Sequence, residues 1–156
     1  MKLSLFCIGI QKSGAEAQSL FSLLQHYQKQ MSPSLEMKDF SVKQKCPPEQ
    51  LKRKESELLL ENLPPQAYLI ALDERGENLS SLEFAKKIEK IQLSGCPHLV
   101  LAIGGAHGHD ECLRKRADSV LSFGKMTWPH QLMKLLVTEQ LYRAQMILKG
   151  HPYHKE

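Results

Sequence analysis

The chain has 156 residues, the usual length of a single domain that buries its own core without disulfide or metal support. Hydrophobic residues make up 42% of it and charged residues 24%, a balance that excludes collagen-like and wholly disordered proteins. The formal net charge of +4 is mildly basic. It favours a polyanionic partner such as RNA only weakly, because many enzymes without such a partner carry a similar charge.

Two further features concern the cellular location. The apolar run at residues 3–10 is too short for a membrane helix, which needs about 20 apolar residues, and no signal-peptide cleavage pattern follows it. The four cysteines form no Cys-x-x-Cys pair, so they indicate neither a zinc ribbon nor a thioredoxin motif. We therefore expect a cytoplasmic protein with no membrane contact and with reduced thiols.

Apolar runs and amphipathic stretches alternate along the chain. In chain order they predict a strand at 3–10, a helix at 14–30, a strand at 35–42, a helix at 49–62, a strand at 67–73, a helix from Ser80 or Ser81 to 93, a strand at 98–105, a short helix at 110–117, a short strand at 119–123 and a long helix at 131–149. Two of the strands are apolar throughout, which is typical of a parallel sheet covered by helices on both faces. The predicted fold class is therefore α/β, with residues 1–156 as one domain.

Three loops are candidates for ligand binding, because open parallel sheets bind ligands beyond the carboxyl ends of their strands. They are residues 72–76, 104–108 and 123–129, with the sequences LDERG, GGAHG and FGKMTWP. Glycines at 104, 105 and 108 let a ligand approach the backbone with no Cβ in the way. The turn is neither a G-x-G-x-x-G motif nor a P-loop, so the glycines by themselves favour a tight turn without any ligand over a binding loop.

The same turn carries His107 and His109, with Asp110 and Glu111 beside them. No third and fourth ligand follows at a familiar spacing, so we predict no metal site and assign Asp110 as the N-cap of the next helix. A second undecided stretch is residues 43–54, where five of twelve residues are Lys or Arg. This stretch is either a solvated loop leading into a helix or a basic surface that contacts phosphates.

The last helix is apolar over more of its circumference than one sheet face covers, which indicates a second copy of the chain as a partner. Glu139 and Arg143 stand four residues apart and are expected to pair on the helix surface. The chain then ends in HPYHKE, which places His151, Tyr153 and His154 in the tail. Those side chains offer stacking faces, hydrogen-bond donors and groups that exchange protons near neutral pH.

Five blocks together resemble one family closely, the SPOUT-class methyltransferases of the RlmH type. The blocks are IALD at 70–73, IGGAHG at 103–108, SFGKMTWPHQL at 122–132, EQLYRA at 139–144 and HPYHKE at the end. The resemblance spans essentially the whole chain. It implies methylation of N3 of a pseudouridine in helix 69 of 23S ribosomal RNA, on the assembled 70S ribosome. It also implies S-adenosyl-L-methionine as cofactor, a C-terminal trefoil knot and a homodimer.

The resemblance further implies roles for particular residues. The segments that match the family's cofactor-binding loops contain Leu72, Gly104, Gly105, Phe123, Gly124, Lys125, Met126, Thr127, Trp128 and Pro129. In the dimer the tail of one subunit is expected to lie beside the cofactor of the other. There we expect His154 or a tail-bound water to accept the N3 proton, Tyr153 to orient the base, and Arg143 to hold RNA or the dimer interface. His107 and His109 stand where family members often have other residues, and PHQ at 129–131 stands where some relatives have PHP, which leaves details of cofactor contact open.

Two alternatives of a different kind stay open. The first is a nucleotide-binding oxidoreductase of the doubly wound type. The position of the glycine turn argues against it, because the turn follows a late strand and not the first one. The second is an RNA- or ribosome-binding module without catalysis, since RNA binding and dimerisation would leave similar traces in the sequence.

Overall fold

The computed structural model describes residues 1–9 and 14–155. It contains, in chain order, β1 (Lys2–Ile8), α1 (Ala15–Gln30), β2 (Leu35–Phe40), α2 (Pro48–Glu61), β3 (Tyr68–Asn78), α3 (Ser81–Leu93), β4 (His98–Ile103), α4 (Glu111–Arg116), β5 (Ser119–Ser122) and α5 (His130–Leu148). The predicted order of strands and helices is confirmed. With the exception of β3, the ends lie within two residues of the prediction. Ile10, the last predicted position of the first strand, lies outside the described residues.

The five strands form one parallel sheet in the order β2-β1-β4-β3-β5. Alternate side chains of the central strands point to opposite faces, so Leu5 joins one apolar cluster and Phe6 the other. The first cluster packs the sheet against α1, α3 and α5, and the second packs it against α2 and α4. The predicted parallel sheet with helices on both faces is confirmed.

The third strand corrects the sequence prediction. We expected it to end at residue 73 and to be followed by a loop at 72–76, but β3 continues to Asn78. Leu72 and Glu77 both pair with Leu121 of β5, while the residues between them loop out of the ladder. The continuation is polar, and it is held by backbone pairing with the edge strand β5, so it leaves no apolar pattern in the sequence.

Two helix starts agree with the predicted caps. Ser80 caps α3 in a capping box: its Oγ accepts from the Glu83 N–H at 3.2 Å, and its own N–H donates to the Glu83 carboxylate at 2.8 Å. Asp110 caps α4 by accepting from the Cys112 N–H at 3.1 Å. Within the described residues, no helix combines the length and the apolar character needed to cross a bilayer.

Candidate functional site

A cleft of about 1400 Å³ opens at the carboxyl ends of β1, β3, β4 and β5. Its walls include the glycine turn 104–108, the looped-out residues 73–75 of β3 and the loop 123–129, together with the first turns of α1 and α5. All three loops selected from the sequence therefore meet in one place, as the geometry of parallel sheets requires.

Nine of the ten residues predicted to bind a cofactor line this cleft: Leu72, Gly104, Gly105, Phe123, Gly124, Met126, Thr127, Trp128 and Pro129. The tenth, Lys125, does not contribute to its wall. Trp128 is held against the loop because its indole N–H donates to the Phe123 carbonyl at 3.2 Å. The structure thus brings the predicted residues together, and their contacts with a cofactor stay a prediction.

The glycine turn is folded tightly onto its neighbours. The Gly108 N–H donates to the Gly105 carbonyl at 3.0 Å, and Gly108 has a φ of +72°, which glycine adopts without strain. A Cβ at Gly105 would lie 2.5 Å from Oε2 of Glu55, and a Cβ at Gly104 would lie 2.9 Å from the Gly108 carbonyl carbon. The closest neighbour of Gly105 is therefore the carboxylate of Glu55, a residue that sequence reasoning did not select.

Three buried polar atoms in the cleft walls have no hydrogen-bond partner among the described residues: Glu55 Oε2, His109 Nδ1 and His130 Nε2. Burial raises the pKa of Glu55, and nearby His107 offsets part of that rise. Burial lowers the pKa of His109, whose Nε2 lies 3.1 Å from the Ala102 carbonyl. Burial also lowers the pKa of His130, and the positive charge of Lys134 lowers it further.

The two histidines of the turn do not act as a pair, because His107 is exposed and His109 is 2% exposed. In the part of the chain that the structure describes, no three His, Cys, Asp or Glu side chains are grouped so as to hold a metal ion. The sequence offered no signal for the burial of His109, since a histidine in a glycine turn looks solvent-exposed.

A second acidic residue of the cleft, Asp73, differs from Glu55 because it has guanidinium groups as neighbours. Its carboxylate lies 3.7 Å from Arg114 Nη1 and 3.8 Å from Arg75 Nε, and it accepts a hydrogen bond from the Arg75 backbone N–H at 3.0 Å. Its charge is compensated by two guanidinium groups.

The basic stretch 43–54 is half loop and half helix, because α2 begins at Pro48. Three of its cations have partners: Lys52 contacts Glu49 at 3.3 Å, Arg53 contacts Glu57 at 2.8 Å, and Lys54 donates to Gln44 at 2.6 Å. Phosphate contact by this stretch stays a prediction.

The three predicted catalytic residues form a second group, the tail cluster, at the C-terminal end of α5. The Arg143 guanidinium contacts the Glu139 carboxylate at 2.6 Å, which confirms the pair predicted from their spacing. Tyr153 donates its hydroxyl hydrogen to Glu139 Oε1 at 3.0 Å, and its ring lies 4.9 Å from the Arg143 guanidinium carbon. His154 Nδ1 lies 3.3 Å from Arg143 Nη1.

Burial and hydrogen bonds to Tyr27 and Glu139 raise the pKa of Tyr153, so its phenol stays protonated. The hydrogen bond to Glu139 raises the pKa of Arg143. The Tyr27 hydroxyl, 3.4 Å from that of Tyr153, ties the tail to α1. Tyr27 lies in α1, and no local signal links it to a residue so distant in the sequence.

The cleft and the tail cluster lie at opposite ends of α5. His130 lines the cleft, and Arg143 stands thirteen residues further along the helix. At 1.5 Å per residue the two are about 20 Å apart. Within one chain, the predicted cofactor residues and the predicted catalytic residues therefore do not meet.

Comparison with known proteins identifies the family. A model described as a predicted SPOUT methyltransferase matches residues 1–154. Proteins named ribosomal RNA large subunit methyltransferase H are 44% identical to the chain in Paramagnetospirillum magneticum, 44% in Bartonella tribocorum and 43% in Rhodospirillum rubrum, each over 99% of both chains. The resemblance carried by the five sequence blocks is thus confirmed, and the chain belongs to the SPOUT methyltransferase family.

Proposed function

We propose that this chain is an S-adenosyl-L-methionine-dependent methyltransferase that modifies N3 of a pseudouridine in helix 69 of 23S rRNA. The substrate is the assembled 70S ribosome, which places the protein in the cytoplasm. The observation that carries the proposal is 44% identity over 99% of both chains to a relative named as a methyltransferase of large-subunit ribosomal RNA. The mildly basic surface supports the ribosome as substrate, because a particle supplies contacts that a free RNA hairpin lacks.

The residues of the cleft fit S-adenosylmethionine. Leu72, Phe123 and Trp128 supply apolar and aromatic surface for an adenine ring, and the turn at Gly104 and Gly105 brings backbone close to the cleft. The unpartnered Glu55 carboxylate suits the positive charge of this cofactor. When bound, S-adenosylmethionine supplies an electrophilic methyl group for transfer to nitrogen.

The proposal includes a homodimer. The tail is held at Glu139 and Arg143, about 9 and 15 Å along α5 from Met133, the last cleft residue of that helix, so it completes a site on a second copy. Half-buried apolar side chains of α5, namely Leu132, Leu135 and Leu136, support such an interface. The proposal also includes a trefoil knot in the C-terminal half, which the resemblance to the SPOUT family implies.

The composite site consists of the cleft of one subunit and the tail of the other. In it, the tail residues act on the target pseudouridine. The N3 imide proton must leave as the N–CH₃ bond forms, and His154 or a water held by the tail accepts it. Tyr153 remains protonated, so it orients the base by stacking and hydrogen bonding and does not act as the proton acceptor. Arg143 fixes Tyr153 and His154 in place and holds RNA or the dimer interface. Positioning of the base and the cofactor supplies much of the rate.

The decisive experiment maps N3-methylpseudouridine in ribosomes from cells with and without this chain. We expect the modification to disappear without the chain and to return when it is supplied. Purified protein with a radiolabelled methyl donor should label 70S ribosomes faster than free 23S RNA. If ribosomes from cells without the chain still carry the modification, the proposed target nucleotide is wrong. Failure of the protein to bind S-adenosylhomocysteine in calorimetry favours the non-catalytic binding module.

A further inference from the structure

Glu55 is a buried acid in the wall of the cleft. It lies in the middle of α2, its residue is 8% exposed, and its Oε2 has no hydrogen-bond partner among the described residues. The carboxylate sits directly on the glycine turn, where a Cβ at Gly105 would meet both of its oxygens within 2.9 Å. A carboxylate held in this way is costly unless a partner compensates it, because burial strips it of water.

The other acids of the cleft differ from Glu55. Glu16 and Glu74 are exposed to solvent, and Asp73 is compensated by Arg75 and Arg114. Among the described residues, the side chain whose charge lowers the pKa of Glu55 is that of His107, which is exposed to solvent. Within the described part of the chain, the cleft therefore holds one buried carboxylate that no lysine or arginine neutralises, and its residue forms part of the cleft wall.

We propose that Glu55 binds a positively charged group at the amino-acid end of S-adenosylmethionine, either its sulfonium or its α-ammonium. This inference rests on the proposed function, since it assumes that cofactor. The ion pair replaces the lost hydration of the carboxylate by a charge-assisted contact in a site sheltered from solvent. Gly105 then has a clear role, because only a residue without a Cβ lets Glu55 reach this position.

The layout of the sheet supports this orientation of the cofactor. The glycine turn follows β4 and the 123–129 loop follows β5, and the two strands are separated by β3. Neighbouring strands are about 4.8 Å apart, so the two loops start about 10 Å from each other. The 123–129 loop is apolar and aromatic and suits adenine, whereas the acid lies on the side of the turn. A cofactor whose adenosine occupies the 123–129 loop thus extends its charged amino-acid end toward Glu55.

The test compares Glu55→Gln with the unaltered protein by titration calorimetry, using three probes. S-adenosylmethionine carries both charges, S-adenosylhomocysteine keeps only the ammonium, and 5′-methylthioadenosine carries neither. We expect Glu55→Gln to weaken S-adenosylmethionine about tenfold or more and 5′-methylthioadenosine less than about twofold. Weakening of S-adenosylhomocysteine to the same extent as S-adenosylmethionine identifies the ammonium, and unchanged S-adenosylhomocysteine binding identifies the sulfonium.

Glu61→Gln is the matched control, since it makes the same change at an exposed position of the same helix. It should leave all three affinities unchanged. Equal weakening of all three probes by Glu55→Gln, or none, overturns the assignment of Glu55 while leaving the proposed function intact. If the unaltered protein binds neither S-adenosylmethionine nor S-adenosylhomocysteine, the proposed function itself fails, and this inference fails with it.

Discussion

Gly76 of β3 lies directly against the backbone of Leu121 in β5. A Cβ at position 76 would be 2.6 Å from both the nitrogen and the carbonyl carbon of Leu121, and 2.6 Å from the carbonyl carbon of Val120. Gly76 is not among the glycines with positive φ, so the requirement is one of space and not of backbone conformation. The contact fixes the point at which β3, after looping out, returns to pair again with β5.

Gly76→Ala should therefore be strongly destabilising. The clashing atoms belong to a hydrogen-bonded backbone that cannot rotate away, so we expect a loss of about 3 kcal/mol or more in the free energy of unfolding. Thermal unfolding should shift down by about 2–4 °C for each kcal/mol lost. Glu74→Ala is the control, because this side chain of the looped-out segment is exposed and its removal should cost less than about 0.5 kcal/mol. A Gly76→Ala protein of native stability would contradict this close approach of β3 to β5.

The close approach of Glu55 to Gly105 makes a second prediction about stability. Gly105→Ala should cost about 1–3 kcal/mol in the free energy of unfolding, because the new methyl group meets the Glu55 carboxylate. In a Glu55→Ala background the clash is gone, so the same substitution should cost much less. Urea unfolding of the two single variants and the double variant measures this coupling. Strictly additive costs would mean that the two residues are not in contact.

The order of elements and the three loops of the cleft could be predicted because local chemistry determines them. Continuous apolar runs define the buried strands β3 and β4, and the Ser80–Glu83 capping box and the Asp110 cap mark helix starts. Parallel strands then bring their carboxyl ends to one edge, so the loops at 104–108 and 123–129 were expected to meet.

What could not be predicted depends on contacts between distant segments. Glu55 lies in a run of charged residues that reads as a solvated helix face, and only the packing of α2 on the sheet buries it. The contact of Tyr27 with Tyr153 joins the two ends of the chain, so no local pattern records it. The polar end of β3 is held by backbone pairing, which is indifferent to side-chain polarity.

The burial of His109 predicts a specific pH dependence. Because burial lowers its pKa from about 6.5, the unfolded chain binds more protons than the folded protein between that lowered pKa and pH 6.5. Stability therefore rises with pH across this window, is fully present above it, and is lost as the pH falls through it. One such group contributes a slope of up to about 1.4 kcal/mol per pH unit.

His109→Gln tests this prediction, because glutamine retains an N–H donor for the Ala102 carbonyl but does not titrate. Urea unfolding between pH 5.5 and 7.5 should give a shallower slope for this variant than for the unaltered protein. His26→Gln, a change at an exposed position of α1, should leave the slope unchanged. An identical slope in the His109→Gln variant would show that this histidine is not the buried neutral group.

The separation of the cleft from the tail cluster predicts complementation between two inactive subunits. Thr127→Arg, at an exposed position of the cleft wall, should block cofactor binding by crowding and by charge, and calorimetry with S-adenosylhomocysteine checks that it does. Arg143→Ala removes the contacts that hold Tyr153 and His154 but leaves the cleft intact. Each homodimer should be inactive on ribosomes.

A heterodimer of the two, purified through two different tags, should regain about half of the wild-type activity, because one of its two composite sites is complete. That site combines the cleft of the Arg143→Ala subunit with the tail of the Thr127→Arg subunit. If each tail instead served the cleft of its own chain, neither subunit would hold a complete site and the heterodimer would stay inactive. The tail would then have to reach the cleft end of α5, which the contacts of Tyr153 with Glu139 and Tyr27 oppose.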